Sequence, residues 1–243
     1  MRYPNIVEFK VTGNYALFSD PLMRVGGEKC TYQIPTYEAL KGVLSSVYWK
    51  PTFIWYIDKV RVINKIQTEV KGIRTIKYSG KDKEDDFLSY YTYLKNCEYQ
   101  VQAHFEWNYN RPELEKDRNE NKHHEIAKRM ILKGGRRDIF LGTRECQAYV
   151  EPCIYGKDNG FYDDTPRLDF GVMYHGITYA DEAYSDETKD RMTVNFWKPV
   201  MEKGEMIFPK PSECTIHKSL HKMKIKKFGE DNFSGLREFG VIE

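Results

Sequence analysis

The sequence of residues 116–144 is KDRNENKHHEIAKRMILKGGRRDIFLGTR, which combines a predicted helix start, an amphipathic helix and a glycine–arginine loop. This stretch holds nine Lys and Arg against four Asp and Glu, whereas the whole chain is nearly balanced at 38 against 36. A helix N-terminus that carries Lys and His side chains suits the binding and reaction of a phosphate. Our first hypothesis is therefore phosphodiester chemistry on a nucleic acid.

The helix in this stretch has recognisable ends. Asn121 is its predicted N-cap, which places Lys122 and His123 in the first turn. Gly134 suits the left-handed C-terminal cap. The predicted buried stripe consists of Ile126, Ala127, Met130 and Ile131.

A second helix is predicted earlier, within residues 34–51, IPTYEALKGVLSSVYWKP. Thr36 is its predicted N-cap and Pro51 ends it, so Tyr48 lies at its C-terminal end. Alternating or β-branched runs predict strands at residues 6–12, 53–66 and 97–108 and, after the second helix, in the runs 139–141 and 146–155. Residues 68–79 form either a second strand or an extended arm. The resulting order, βαββαβ, indicates an α+β fold with a ferredoxin-like domain over residues 1–155, the arrangement also found in RNA-recognition modules.

Residues 156–243 have a different sequence pattern, with short strand-like runs and no predicted helix, and are predicted to form a small β-rich domain. Strand-like runs at 168–179, 192–200 and 205–208 suggest an antiparallel sheet with an acidic loop at 181–190. The tail HKSLHKMKIKK, residues 217–227, has five lysines, two histidines and no acid. It is either a solvated tail or a strand that faces nucleic acid.

The composition restricts the class of protein. Five scattered cysteines without a CxxC pair favour reduced thiols in a cytoplasmic protein and disfavour a zinc site. We expect no signal peptide and no membrane span, because no apolar run approaches the roughly 20 residues that a spanning helix needs. The 18 Tyr, 13 Phe and 4 Trp suit either a packed sheet or a surface on which bases stack.

Several runs, taken in order, resemble one protein family. They are GGEKCTYQIPTYEALKGVLSSVYWKPTF at 26–53, RNENKHHEIAKRMILKGGRRDIFLGTRECQAYVEPC at 118–153, GFYDD at 160–164, FGVMYHG at 170–176 and FWKPVMEKGEMIFPKP at 196–211. Together they resemble the subtype I-C (Dvulg) form of CRISPR-associated protein Cas five, in the repeat-associated RNA-binding (RAMP) superfamily. The resemblance extends from residue 6 to about residue 211.

The resemblance implies both a fold and a function. It implies a ferredoxin-like N-terminal domain, a β-rich C-terminal domain, and cleavage of precursor CRISPR RNA within the repeat, 3′ of its hairpin. The protein is then expected to stay on the 5′ handle of the guide inside the type I-C Cascade complex, with its large and backbone subunits. The catalytic set that it implies falls on Tyr48 in VYWKPT and on Lys122 and His123 in NKHHE.

The chemistry expected of this set needs no metal or other cofactor, because RNA carries its own nucleophile in the 2′-hydroxyl. We expect His123 to act as general acid or base, Lys122 to stabilise the charged transition state, and Tyr48 to orient the RNA by hydrogen bonding. His124 is expected to point away from the phosphate. The residues predicted to contact RNA are Arg24, Lys29, Arg136, Arg137 and Arg144.

Two other functions stay open. One is a non-catalytic subunit that binds RNA or double-stranded DNA, which would not need the Tyr48, Lys122 and His123 set. The other is a metal-dependent nuclease built on the acidic pairs at 85–86 and 163–164, which have no histidine at ligand spacing.

Overall fold

One large, mainly antiparallel sheet organises the chain in a computed structural model that describes residues 4–21, 23, 28–75 and 87–225. In chain order the elements are β1 (Val7–Ala16), β2 (Lys29–Cys30), α1 (Tyr37–Val47), β3 (Phe53–Val62), β4 (Thr68–Thr75), β5 (Phe87–Trp107), α2 (Glu120–Leu132), β6 (Ile139–Phe140), β7 (Gln147–Pro152), β8 (Leu168–Asp169), β9 (Met173–Thr178), β10 (Arg191–Trp197), β11 (Val200–Met201), β12 (Glu205–Ile207) and β13 (Ile216–Lys222). The predicted α+β class is confirmed as a mixed fold of a few helices on a large sheet.

The order of the large sheet is β12-β3-β5-β1-β7-β6, with β2 and β4 paired to the first part of β5. β5 is the central strand, since its second half lies between β1 and β3 in antiparallel pairing. The alternation of apolar residues in β1 explains its place, because Val7, Phe9 and Val11 point into the core while their neighbours are partly exposed. α1 packs on β3, and α2 packs on β1 and β7.

The first helix begins and ends as predicted. The Thr36 side chain accepts a hydrogen bond from the Ala39 amide at 3.2 Å, and Tyr48 is the C-cap. The second helix begins two residues earlier than predicted, because Asn119 rather than Asn121 is the N-cap and accepts from the Lys122 amide. This correction moves His123 past the first turn, to the buried side of the helix.

The chain after β7 forms two smaller sheets and returns to the first. β13, β10 and β9 make a three-stranded antiparallel sheet, and β11 pairs with β8. β12 pairs with β3, so a late segment completes the edge of the large sheet. The basic tail, residues 217–227, begins within β13 (Ile216–Lys222), whose residues are all exposed, and residues 226–243 lie outside the described residues.

In the part of the chain that the structure describes, no helix is both long and apolar enough to cross a membrane.

Candidate active site

The candidate site lies where the end of α1 meets the start of α2. Tyr48 follows the last turn of α1, and the indole Nε1 of Trp55 donates to its carbonyl at 2.7 Å. The backbone amides of Arg136 and Arg137 both donate to the Ser46 carbonyl, at 3.3 and 3.2 Å. The glycine–arginine loop after α2 is therefore fastened to the end of α1, beside Tyr48.

Tyr48 and His123 are joined by a buried hydrogen bond of 2.7 Å between Oη and Nδ1. The other ring nitrogen, Nε2, lies 2.8 Å from the backbone carbonyl oxygen of Asp117. A carbonyl oxygen only accepts, so Nε2 carries the proton and Nδ1 accepts the proton of the tyrosine hydroxyl. In the neutral imidazole this arrangement selects one tautomer, whose Nδ1 faces the Tyr48 hydroxyl as an acceptor.

Asp117 contacts both Lys122 and His123, the other two predicted catalytic residues. It ends a 3₁₀ turn at Pro112–Asp117, and its carboxylate accepts from Lys122 Nζ and, at 2.8 Å, from Thr52 Oγ1. The hydrogen bond from Lys122 is the main reason that the pKa of Asp117 is lowered, and the Thr52 bond adds to it. The carboxylate also lies 3.4 Å from His123 Nε2, where it would stabilise an imidazolium.

Aromatic rings close the site around His123. The rings of Phe53 and Trp107 contact the imidazole edge-on, at 5.2 and 5.8 Å between ring centroids, and His123 is fully buried.

Burial raises the pKa of the Tyr48 hydroxyl, the Asp117 charge raises it further, and the positive charge of Arg136 opposes both. The hydroxyl therefore stays protonated near neutral pH and needs an acceptor, which His123 Nδ1 provides.

The structure brings the three predicted catalytic residues together, but not all the predicted RNA-binding residues. Arg136 and Arg137 are exposed next to the site, and Arg24 lies outside the described residues. Lys29 lies over the Tyr91 ring, with Nζ 4.6 Å from the centroid. The stretch of β5 from Tyr91 to Trp107 spans roughly 50 Å at about 3.3 Å per residue, so Lys29 lies far from the site.

Arg144 is also at the distant end of β5. It is exposed in the turn before β7, and the neighbouring Glu145 accepts a hydrogen bond from Tyr93 Oη at 3.5 Å. The predicted RNA-binding residues that the structure describes therefore form two groups, Arg136 and Arg137 at the candidate site and Lys29 and Arg144 near the β4–β5 hairpin.

His124, which follows His123, bonds through Nε2 to the Ile6 carbonyl at 2.9 Å.

Two further residues of the site, Asp117 and Thr52, were not predicted. Both lie beside predicted residues in sequence, in KDRNENKHH and VYWKPTF, but their contact depends on the 3₁₀ turn that brings Asp117 back to β3. Among the described residues no group of three or more His, Cys, Asp or Glu side chains converges as a metal site would.

The sequence comparisons with known proteins agree on one protein family. The sequence model of the Cas5d form of the CRISPR-associated protein Cas5 family matches residues 6–209. A protein of Mannheimia succiniciproducens named CRISPR pre-crRNA endoribonuclease Cas5d is 30% identical over 210 residues, covering 72% of this chain and 86% of the relative. A Thermus thermophilus protein of the same name is 28% identical over 184 residues, covering 72% of this chain and 75% of the relative.

Two solved structures resemble the whole fold. The crystal structure of a CRISPR-associated protein is 35% identical with a TM-score of 0.72, covering 88% of this chain and 96% of that chain. That of a functionally uncharacterized Streptococcus mutans protein is 38% identical with a TM-score of 0.71 and the same coverage. Both the sequence and the architecture are thus shared over most of the chain.

Proposed function

The chain belongs to the CRISPR-associated Cas5 family in its Cas5d form, and on that basis we propose that it is an endoribonuclease that cuts precursor CRISPR RNA. Both curated relatives carry the name of that activity. The observation that carries the proposal is the 2.7 Å hydrogen bond from Tyr48 Oη to His123 Nδ1, beside the cations Lys122 and Arg136. A buried base aimed at a hydroxyl is what a proton-transfer site needs.

The reaction is attack of the RNA 2′-hydroxyl on the adjacent phosphorus. A new O2′–P bond forms and the P–O5′ bond breaks, which gives a 2′,3′-cyclic phosphate and a 5′-hydroxyl end. Tyr48 takes the 2′-hydroxyl proton as it passes its own proton to His123 Nδ1, and the departing 5′ oxygen takes a proton from solvent. This sequence of transfers uses the chain's own side chains and no metal ion.

The cations have separate roles in this reaction. Lys122, whose side chain is half exposed, moves from the Asp117 carboxylate to a non-bridging phosphate oxygen as negative charge develops there. Arg136 stabilises the tyrosine oxygen as it loses its proton, and Asp117 stabilises the imidazolium that forms. His123 keeps the role expected from the sequence, but acts through Tyr48 rather than directly on RNA.

We also infer that β1, α1, β3, β5, α2 and β7 are the βαββαβ elements of a ferredoxin-like domain. The spatial order β3-β5-β1-β7 and the positions of the two helices in the chain support this assignment. The described residues 156–225 then belong to the β-rich second domain, which contributes β12 to the first. We propose that the protein stays on the 5′ handle in type I-C Cascade, together with the large and backbone subunits.

The test is to mix the protein with its labelled repeat RNA in EDTA. We expect one cut with a cyclic-phosphate end, and no cut when the 2′-hydroxyl at that position is replaced by hydrogen. Cutting that needs added metal, or that persists on the deoxy substrate, would contradict the reaction.

A second function, RNA or double-stranded DNA binding without catalysis, is favoured by one observation. Tyr48 is only 2% exposed and His123 is fully buried, so RNA reaches the hydroxyl only if the neighbouring side chains move. Tight binding of the repeat without any cut in either EDTA or Mg²⁺ would establish this alternative.

A further inference from the structure

Tyr109 is an exposed aromatic side chain next to the candidate site. It lies two residues after Trp107, whose ring contacts His123 at 5.8 Å, yet 74% of Tyr109 is exposed. Large exposed rings occur singly on many proteins and need no explanation on their own. Tyr109 differs because one of its faces is covered by a side chain that is itself held in place.

The covering group is the guanidinium of Arg118. Its Cζ lies 4.9 Å from the centroid of the Tyr109 ring, within the range of a cation–π contact. The same guanidinium donates through Nη2 to the carbonyls of Asn108, at 3.2 Å, and Arg111, at 3.3 Å. One face of the ring is therefore braced and the other is open to solvent.

Two short connections attach this braced ring to the reacting groups. The Asn108 amide, next to Tyr109, donates to the Thr52 carbonyl at 2.9 Å, and the Thr52 hydroxyl donates to Asp117 at 2.8 Å. Arg118 is also the residue that follows Asp117 in sequence. These contacts link the backbone beside Tyr109 to Asp117, the carboxylate that also pairs with Lys122.

We propose that Tyr109, braced by Arg118, is a stacking platform for one unpaired RNA base next to the cleaved linkage. The proposal rests on the proposed function, since it assigns a binding site for the same substrate. Unpaired bases are bound by stacking on aromatic rings, and a ring fixed in advance loses little conformational entropy when the base binds. The platform fixes which linkage reaches Tyr48, so it is a specificity-determining site.

The experiment measures binding of repeat RNAs that carry a deoxynucleotide at the cut position and one abasic nucleotide at successive positions around it. With the wild-type protein, we expect one abasic position to weaken binding by roughly 5- to 150-fold, the usual worth of a base–aromatic stack. Tyr109→Ala should weaken binding of the intact RNA by a similar factor and show no further loss at that position. Tyr109→Phe should bind like the wild type.

Matched variants separate stacking from general effects. Tyr149, 66% exposed on β7, is a control, and Tyr149→Ala should leave the abasic profile unchanged. Tyr109→Leu keeps an apolar side chain without a flat ring and should resemble Tyr109→Ala. The platform is ruled out if the abasic penalty persists in Tyr109→Ala, or if Tyr109→Leu binds as tightly as the wild type.

The binding measurement also keeps this proposal distinct from the proposed function. If the wild-type protein fails to cut the all-ribose repeat while Tyr109 still accounts for the abasic penalty, the catalytic proposal fails and the platform stands. If the protein cuts the repeat and no abasic position depends on Tyr109, the platform fails and the catalytic proposal stands.

Discussion

Two buried histidines lie against opposite ends of α1, and they differ in their polar partners. His175 stacks on Tyr37, the first residue of α1, at 4.1 Å between ring centroids, while His123 bonds to Tyr48 just beyond its last residue. Neither ring has measurable solvent exposure. Each Nε2 lies close to a backbone carbonyl, at 3.0 Å for His175 and 2.8 Å for His123.

The difference lies at Nδ1. In His123 this nitrogen accepts the hydroxyl proton of Tyr48, and a carboxylate lies 3.4 Å from the other side of the ring. In His175 it has no hydrogen-bond partner among the described residues, and burial lowers the pKa of the ring to about 4. Burial alone therefore does not separate the proposed catalytic histidine, His123, from His175, whereas the hydrogen-bond partner at Nδ1 does.

The strongest test of this comparison replaces each histidine in turn. His123→Ala should lower the rate of RNA cleavage by about 10²- to 10⁴-fold, the range for loss of a general acid or base. His175→Ala should retain the wild-type rate, although both variants lose packing in the core. The measurement is single-turnover cleavage of the labelled repeat at saturating protein.

Folding and RNA binding must be checked in both variants by circular dichroism and filter binding. His123→Gln, whose amide nitrogen reaches the position of Nε2 and can still donate to the Asp117 carbonyl, distinguishes a lost base from a lost fold. If the folded His123→Gln protein cuts RNA at the wild-type rate, the role of His123 in proton transfer is wrong.

The two tyrosines allow a smaller change, the loss of one hydroxyl. Tyr48→Phe should slow cleavage by about 10²-fold or more, because the proton path from RNA to His123 is broken. It should also cost about 1–3 kcal/mol in the free energy of unfolding, since Nδ1 is left buried without a donor. Tyr37→Phe removes a long 3.5 Å bond to the Trp55 carbonyl and should alter neither quantity as much.

The outcome is measured by cleavage rate and urea unfolding of both variants side by side. Equal effects of the two substitutions would mean that the Tyr48 hydroxyl has no special role.

Lys122 and Lys128 are both half exposed, and both pair with a carboxylate of their own neighbourhood. Only Lys122 lies at the start of α2 beside the Tyr48–His123 pair. We expect Lys122→Met to lower cleavage by roughly 10- to 100-fold through weaker stabilisation of the charged phosphate. Lys128→Met should have little effect on the cleavage rate in the same buffer, and a comparable loss in the two variants would indicate only general electrostatic attraction.

The last prediction concerns the pH dependence of stability at His175, which lies outside the candidate site. Its pKa is about 4 when folded and about 6.5 when unfolded, so between these values the unfolded state binds more protons. The contribution of His175 to the free energy of unfolding should therefore be constant above about pH 6.5. It should fall by up to about 1.4 kcal/mol per pH unit as the pH drops towards 4. His175→Gln should show a shallower decline in urea unfolding between pH 7 and pH 5, and an unchanged slope would contradict the assignment.

Local sequence signals predicted much of the site's framework. Thr36 and Pro51 bounded α1 correctly because capping and proline termination depend only on neighbouring residues. Asn119 and Asn121 are both capable caps two residues apart, and choosing the second one placed His123 too close to the helix end. The spacing of His123 with Ala127 and Ile131, four residues each, was the available signal that His123 faces the core.

Other features depend on contacts between distant segments and could not be predicted. The sequence around Asp117 does not indicate that its carboxylate accepts a hydrogen bond from Thr52. That contact forms only because the turn between β5 and α2 folds back on β3. The family resemblance implied that Tyr48 and His123 belong to one catalytic set, and the structure adds the hydrogen bond between them. The separation of Lys29 and Arg144 from the site follows from the length of β5, of which only the second half had been predicted.

The pairing of β12 with β3 has a consequence for synthesis on the ribosome. β3 ends at Val62 and its outer neighbour begins only at Glu205, so about 140 residues must be translated before that edge is covered. At about 5–20 residues per second, the edge is open for on the order of 10–30 s, during which it is free to pair with another nascent chain. Slow translation or early termination before β12 is therefore expected to produce aggregates rather than a shortened working enzyme.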